Sequence, residues 1–311
     1  MSESGDKIGQ ISDELSDRVA QCAVLAMLFE LSSSPKPGNV DRCHDFSDIG
    51  FHHFLTSAIS AYPVFRKAAK GEGSPGSLIL EGVQAWEDWN LRSNTHFGSL
   101  VLMIPIAMAA GRAAVHKQAD EPGNGQGDGP DDRLEEELAR VLRSTTIQDA
   151  VYFYRAFDLA GARVVHVDRF SLKDPDWEEK LIEGNRSLLD LMGLSVDHDI
   201  VAREWATDYE RSFRLARRMQ DMISIHGLND GVVRVFLEAL AQVPDSLISA
   251  KFGREKALQV SRRAAEALLD PTLDKARQMD IDLLEGDINP GSTADLIAAS
   301  LFISLLRNLR F

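Results

Sequence analysis

The 311-residue sequence predicts an all-α fold, a single large bundle of roughly ten helices spanning residues 1–311. Three observations carry that expectation. Apolar residues recur at three- and four-residue steps along most of the chain. Strand-like alternation is confined to ARVVHVDRF at 162–170, a stretch that could be extended. Two runs of thirteen residues, SLVLMIPIAMAAG and ADLIAASLFISLL, read as helices buried inside a bundle.

The elements follow in order. A first helix runs from Ser12 to Leu31, where Leu15, Val19, Cys22, Ala23, Ala26, Met27 and Glu30 share one face. A second starts near Asp48 and runs to about Lys70, with Phe51, Phe54, Leu55, Ala58 and Ile59 inward, until the glycines of 71–76 break it. A third covers Ser77 to Trp89. A fourth, from about His96 to His116, is apolar nearly all round and should kink at Pro105. Residues 118–132, QADEPGNGQGDGPDD, form an acidic, glycine-rich insert with too little apolar surface to order itself, and so a mobile surface loop. Helical periodicity resumes at Leu134–Leu142 and at Ile147–Gly161, where Thr145 or Thr146 can cap and Asp149 favours the first turn. Further helices are expected over 175–191, 197–225, 231–242, 253–269 and 293–310.

Charge and cysteine usage narrow the partners. With 34 basic and 48 acidic residues the formal charge is −14, which argues against a nucleic-acid surface. A small anionic ligand stays open, because a few cations can turn a local field positive. Cys22 reads as a core filler, Cys43 lies in a polar loop, and no CxxC occurs, as expected of a cytoplasmic chain. The N-terminal MSESGDKIGQ lacks the apolar core of a signal peptide. Neither thirteen-residue run reaches the roughly 20 residues needed to span a bilayer, so no membrane partner is expected. The apolar C-terminal segment LFISLLRNLRF would suit a homodimer.

Three polar clusters interrupt the helices: PKPGNVDRCHD at 35–45, NTHFG at 94–98 and NPGSTAD at 289–295. Glycine lets a backbone approach a ligand, proline stiffens the approach, and helix starts attract anions. Lysine and arginine suit phosphate; asparagine, aspartate and histidine supply metal or proton chemistry. Plainer readings exist for each. The prolines could simply end a helix, Ser93, Asn94 or Thr95 could be an N-cap, and Ser292 to Asp295 has the S-x-x-D form of a helix start. The pair His52-His53 reads as structural, and no Walker loop, GxGxxG, HExxH or zinc spacing is present.

The combination PKPGNVDR, NTHFGSLVLMIP, GARVVHVDRF and DINPGSTADLIAASLF resembles the triphosphoribosyl-dephospho-CoA synthases. The family's corresponding signatures look like TPKPGLVD, NTHKG and SPGGSADLLA, and the matches run in family order over residues 30–306. The resemblance implies an all-helical fold and a transferase that takes ATP as triphosphoribosyl donor and 3′-dephospho-CoA or a related nucleotide as acceptor. A ribose hydroxyl of the acceptor attacks C1′ of the ATP ribose, adenine leaves, and the product is a prosthetic-group precursor. Two alternatives share the same pocket: a nucleotide hydrolase or N-glycosidase, with water as acceptor, and an inactive nucleotide-binding protein. The family lysine after NTH is Phe97 here, which removes a cation, and SPGGSAD has become NPGSTAD.

The resemblance implies roles. His96, Asp295 and Asp45 are the catalytic candidates. Lys36, Gly38, Asn39, Arg42, Asn94, Thr95, Asn289, Gly291 and Ser292 would bind nucleotide and phosphate. Asp41 and Glu30 would ligate Mg2+, the natural partner of a triphosphate. Arg163, Asp168 and Arg169 would border the acceptor.

Overall fold

A computed structural model describes residues 11–45, 49–91, 95–120, 130–161 and 177–311. Among these the regular elements are fifteen α-helices and one 3-10 turn at Glu87–Trp89. A single bridge between Asp41 and His44 is the one strand-like pairing among the described residues. In chain order the helices are α1 (Asp13–Ser32), α2 (Phe51–Ser60), α3 (Tyr62–Lys70), α4 (Pro75–Gln84), α5 (Phe97–Asp120), α6 (Pro130–Arg143), α7 (Ile147–Leu159) and α8 (Trp177–Glu183). They continue as α9 (Leu188–Leu194), α10 (Ile200–Ala206), α11 (Glu210–Gln242), α12 (Ser246–Phe252), α13 (Arg254–Leu268), α14 (Asp274–Glu285) and α15 (Gly291–Leu306).

The fold class is the expected one, but the helices are more numerous and shorter. The segment expected as one helix from Asp48 to Lys70 divides at Ala61, just before Pro63 enters the first turn of α3. Asp208 and Tyr209 take left-handed φ values of 50° and 62° and separate α10 from α11. Conversely, α11 absorbs two expected helices across one non-helical residue, Gly227. The insert at 118–132 is helical at its ends, which extend α5 and open α6; residues 121–129 lie outside the described residues. ARVVHVDRF lies outside them too.

The core is built around α15, which packs on α1, α5 and α11. Every residue of α15 from Leu296 to Leu305 is buried, so this helix has no solvated face. In α5, Leu100 to Ala109 are likewise all buried, Pro105 included. A proline at 105 cannot donate to the carbonyl four residues earlier. The indole of buried Trp205 donates instead to the Val101 carbonyl (3.3 Å), and the hydroxyl of buried Tyr209 donates to Leu102 O (3.1 Å). Two aromatic side chains from the α10–α11 corner thus satisfy carbonyls beside the proline and fix how α5 sits. The helix is long and apolar enough to cross a membrane, yet most of it is covered by neighbouring helices, as in a bundle core. The C-terminal segment that would suit a dimer also turns inward: Leu305 and Leu309 are buried, and the exposed Phe311 ring packs edge-on against Phe29 at 4.8 Å.

Candidate active site

The PKPGNVDRCHD loop leaves the end of α1 and is tied down at several points. Asn229 of α11 clamps Ser34, accepting its N–H at Oδ1 (3.0 Å) and donating from Nδ2 to its carbonyl (2.8 Å). Gly38 has φ +80°, and a Cβ there would meet the Ile288 carbonyl at 2.2 Å, so only glycine fits. The Gly38 N–H donates to Asp280 Oδ1 (2.8 Å) and the Asn39 N–H to the Lys36 carbonyl (3.0 Å). Both backbone donors expected at phosphate are therefore engaged within the protein.

Lys36, Arg42 and Asp45 of this loop are also bonded within the protein, against expectation. Lys36 is fully buried and donates from Nζ to Glu30 Oε1 at 2.7 Å and to the Val40 carbonyl at 3.4 Å. The hydrogen bonds of Lys36 are thus made inside the protein, and the ammonium takes one oxygen of Glu30, a residue that also lines the cavity described below. Burial pushes the Glu30 carboxyl up, and Lys36 opposes that rise. Arg42 is exposed and donates to Asn229 Oδ1 (3.0 Å). Asp45 is exposed and accepts the Phe51 N–H (2.6 Å) at the start of α2, and it is not among the residues that line the cavity described below. His53 Nδ1 accepts from the Gly50 N–H (2.9 Å) at the same helix start, the structural role expected of the histidine pair.

The three clusters nevertheless meet. A cavity of about 180 Å3 opens where the starts of α5 and α15 face the loop, lined by Asn39, Thr95, His96, Asn289, Gly291, Ser292 and Asp295. Four of its lining residues carry a buried polar atom without a hydrogen-bond partner among the described residues: Asn39 Nδ2, Thr95 Oγ1, His96 Nε2 and Asn289 Oδ1. An unsatisfied buried polar atom costs about 1–3 kcal/mol. Several converging on one cavity are the mark of groups held ready for a ligand. The opposite wall is aromatic. Phe97 packs against Phe153 (5.7 Å) and edge-on to Phe157 (5.5 Å), and Phe54 lies across the cavity lining as well. The residue that replaces a family lysine thus supplies an apolar surface able to stack on a nucleobase.

Asp295 and His96 occupy contrasting environments. Asp295 accepts from Ser99 Oγ at 2.6 Å, across the junction of the α5 and α15 starts. Desolvation in the cavity raises its pKa to about 8, with the Glu30 and Asp245 carboxylates adding to the rise and the Ser99 bonds opposing it. At neutral pH this carboxyl is mostly protonated. Desolvation lowers His96 to about 3, helped by the nearby Lys36 charge, so its ring is neutral. Its Nδ1 lies 2.7 Å from Ser57 Oγ. The Ser57 hydroxyl also reaches the Phe54 carbonyl at 3.1 Å. With that proton given to the carbonyl, Nδ1–H donates to Ser57 and Nε2 presents a bare lone pair. A neutral ring of this kind accepts a proton and is not a source of one.

Gly98 explains why glycine closes NTHFG. A Cβ at 98 would fall 2.1 Å from Asp295 Oδ2. Gly98→Ala is expected to displace the carboxyl from Ser99 and cut turnover at least tenfold with the helix intact by circular dichroism; near wild-type turnover would mean that the position of Asp295 is not critical.

The start of α15 is not capped from within its own S-x-x-D sequence, as expected; Asp245 does it. One Asp245 oxygen accepts from the Leu247 and Ile248 N–H groups (2.9 and 3.1 Å) at the start of α12. The other accepts from the Thr293 N–H and hydroxyl (2.7 and 2.8 Å). This buried carboxylate locks two helix starts together and leaves Asp295 free to face the cavity.

Asp41 has a different neighbourhood from the cavity. It is buried, one oxygen accepts the Cys43 N–H (2.7 Å), and Oδ2 has no hydrogen-bond partner among the described residues. His44 Nδ1 lies 3.5 Å from Asp41 and 3.2 Å from Asp280. These three residues offer ligand atoms within 4.8 Å of one another, the one such group among the described residues. Ser57, Ser99, Asp245 and Asp280 escaped the sequence reading. Ser99 stands one residue past a recognised cluster, but Asp280 lies on α14, for which no apolar stripe was apparent. Asn94, Arg163, Asp168 and Arg169 lie outside the described residues.

Comparison with known proteins agrees with this architecture. Residues 16–310 match the family model described as ATP:dephospho-CoA triphosphoribosyl transferase. A protein of Pseudomonas fluorescens strain Pf-5, assigned as a 2-(5''-triphosphoribosyl)-3'-dephosphocoenzyme-A synthase, is 26% identical over 94% of this chain and 93% of its own. A Streptococcus mutans protein with the same assignment is 23% identical over 92% of this chain and 95% of its own. A solved structure from Archaeoglobus fulgidus, described as a triphosphoribosyl-dephospho-CoA synthase, superposes with a TM-score of 0.64 at 26% identity, covering 82% of this chain and all of that one.

Proposed function

The chain belongs to the ATP:dephospho-CoA triphosphoribosyl transferase family, and from that premise we propose how its cavity performs the transfer. The activity moves a triphosphoribosyl group from ATP to dephospho-CoA. The C1′–N9 bond of ATP breaks, a hydroxyl oxygen of the acceptor bonds to C1′, and adenine leaves. The observation that carries the assignment of roles is the pair of opposed carboxyl and imidazole environments, one protonated and one neutral, in a single cavity.

Bond breaking at a glycosidic carbon runs ahead of bond making, so the leaving base needs a proton early. Asp295, protonated at neutral pH and held by Ser99, donates that proton to adenine. The attacking hydroxyl becomes acidic only as its bond to C1′ forms, so a weak base suffices. His96 Nε2 accepts the hydroxyl's hydrogen bond and then its proton. Asn39, Thr95 and Asn289 position the sugar and base by their unpartnered polar atoms, and the Phe97–Phe153–Phe157 wall stacks on adenine and excludes water.

A triphosphate in a chain of net charge −14 needs cations, and Mg2+ supplies charge neutralisation. Asp41, His44 and Asp280 fit a divalent ion, since Asp41 Oδ2 and His44 Nδ1 are buried without hydrogen-bond partners. The ATP and dephospho-CoA substrates and two unpaired cysteines suit a cytoplasmic setting.

The test is a mass balance. With ATP, Mg2+ and dephospho-CoA, adenine and the coupled nucleotide should appear one to one, and EDTA should stop the reaction until excess Mg2+ restores it. Adenine without acceptor would instead identify a hydrolase. Asp280→Asn should raise the Mg2+ concentration needed for half-maximal rate by roughly tenfold or more. An unchanged Mg2+ dependence would remove the cluster from the metal assignment.

A further inference from the structure

A second cavity, of about 320 Å3, lies against the first. Asp199 lines both. Ser246, in the wall of the second, donates from Oγ to Ser292 Oγ (2.9 Å) in the wall of the first. The two therefore share a thin partition made from the starts of α10, α12 and α15.

The cavities differ in charge. Among the described residues lining the first there is no lysine or arginine, and at about 180 Å3 it is smaller than the roughly 300–1,000 Å3 typical of ligand sites. Two nucleotides cannot fit within it, and it offers their phosphates no cation. The second cavity holds Arg203 and Arg254. Arg203 donates from Nε to the Val196 carbonyl (3.0 Å), which holds its side chain along the wall; its terminal nitrogens make no hydrogen bond or ion pair among the described residues. Arg254, the exposed first residue of α13, makes none at all among them. Most exposed arginines among the described residues do pair, as Arg140, Arg143, Arg155, Arg262 and Arg277 show. In an acidic protein, two arginines left without carboxylate partners in one cavity are conspicuous.

The acids in the same wall do not cancel them. Asp199 turns its carboxylate to the Val201 and Ala202 N–H groups (2.7 and 3.2 Å), and burial raises its pKa. Asp197 stands at the exposed rim. The exposed side chain of His198 also lines this wall.

We propose that this second cavity binds the phosphate chain of a nucleotide substrate, with Arg203 and Arg254 gripping the phosphate oxygens while the sugar reaches over the Asp199–Ser246 partition into the first cavity. Guanidinium groups suit the task because their planar donors meet phosphate oxygens two at a time. The identity of the nucleotide rests on the transferase reading above. The shared chemistry is a phosphate chain, the triphosphate of ATP or the diphosphate of dephospho-CoA.

Steady-state kinetics of Arg254→Gln separate these sources. A rise of about tenfold in the KM for ATP, with a smaller change in kcat, assigns the triphosphate; the same rise for dephospho-CoA assigns the diphosphate. Arg262→Gln removes the same charge one turn or more along α13, outside the cavity, and should leave both KM values alone. Unchanged KM values in Arg254→Gln, or equal changes in Arg262→Gln, overturn the proposal. Calorimetry with inorganic tripolyphosphate and pyrophosphate keeps this independent of turnover. The wild-type chain should bind at least one of them about tenfold more tightly than Arg254→Gln or Arg203→Gln, each first shown to melt like the wild type. Equal affinities overturn the site even if the transferase activity is present; a tenfold difference upholds it even if that activity is absent.

Discussion

Asp295→Asn is expected to lower adenine release by about 10^2–10^4-fold, the range for loss of a positioned general acid, with the fold intact. The substitution keeps the size of the side chain and can still accept from Ser99, whose hydroxyl lies 2.6 Å from the carboxylate. What it removes is the proton. Asp295 is raised from 3.8 to about 8 because the cavity desolvates it and the Glu30 and Asp245 carboxylates surround it. The acid is therefore loaded at neutral pH, and wild-type activity should fall as pH rises through about 8. His96, held near 3, should contribute no titration in the usual histidine range. Stability follows the same carboxyl. A group whose pKa is raised on folding stabilises fully below its unfolded value, near 4, and loses that contribution as pH climbs through about 8. Asparagine does not ionise, so the variant should melt at or above the wild type at pH 8–9 while remaining inactive. A variant within tenfold of wild-type activity, or a wild-type rate that stays level past pH 9, would defeat the assignment of Asp295 as the acid.

How far the sequence foretold this site depends on the residue. The all-helical class was legible because apolar spacing survives plainly in helices such as α6 and α13, while α5 and α15 are long runs apolar on every side. Helix ends were not: Asp208 and Tyr209 break the chain with left-handed backbone and without glycine or proline. NTHFG and NPGSTAD stand out in the sequence as separate polar clusters, and Gly98 shows how they meet, since its bare Cα admits the Asp295 carboxylate. The loop PKPGNVDRCHD was read by residue type, and there type misled. Whether a lysine faces solvent, phosphate or a carboxylate is decided by its neighbours in space. For Lys36 that neighbour is Glu30, for Arg42 it is Asn229, and for Asp45 it is the Phe51 N–H. Phe97 shows the converse. Taken alone it is a lost cation; beside Phe153 and Phe157 it completes an aromatic wall.

Lys36→Met is expected to destabilise the chain by about 3–5 kcal/mol in denaturant unfolding, the usual penalty for stranding one member of a buried ion pair. Lys36 and Glu30 are both buried, their charged atoms are 2.7 Å apart, and apart from the Val40 carbonyl the ammonium has no other acceptor among the described residues. Burial already pushes the Glu30 carboxyl up, and the lysine is what opposes it. Without Lys36 the carboxyl rises further and folds protonated. The variant's deficit should then be smallest at acid pH and grow as pH rises, because a raised carboxyl loses its contribution on ionising. Replacing both residues, Glu30→Gln with Lys36→Met, should recover most of the loss, since no buried charge is left unpaired. The pair also reaches the chemistry. Glu30 helps raise Asp295 and Lys36 helps depress His96, so the double variant should draw both groups back toward their ordinary values. The descending limb of the rate profile near pH 8 would shift to lower pH in a protein that is nearly as stable. A Lys36→Met variant that loses less than about 1 kcal/mol, or a double variant with an unmoved profile, would show that the pair neither holds the loop nor tunes the site.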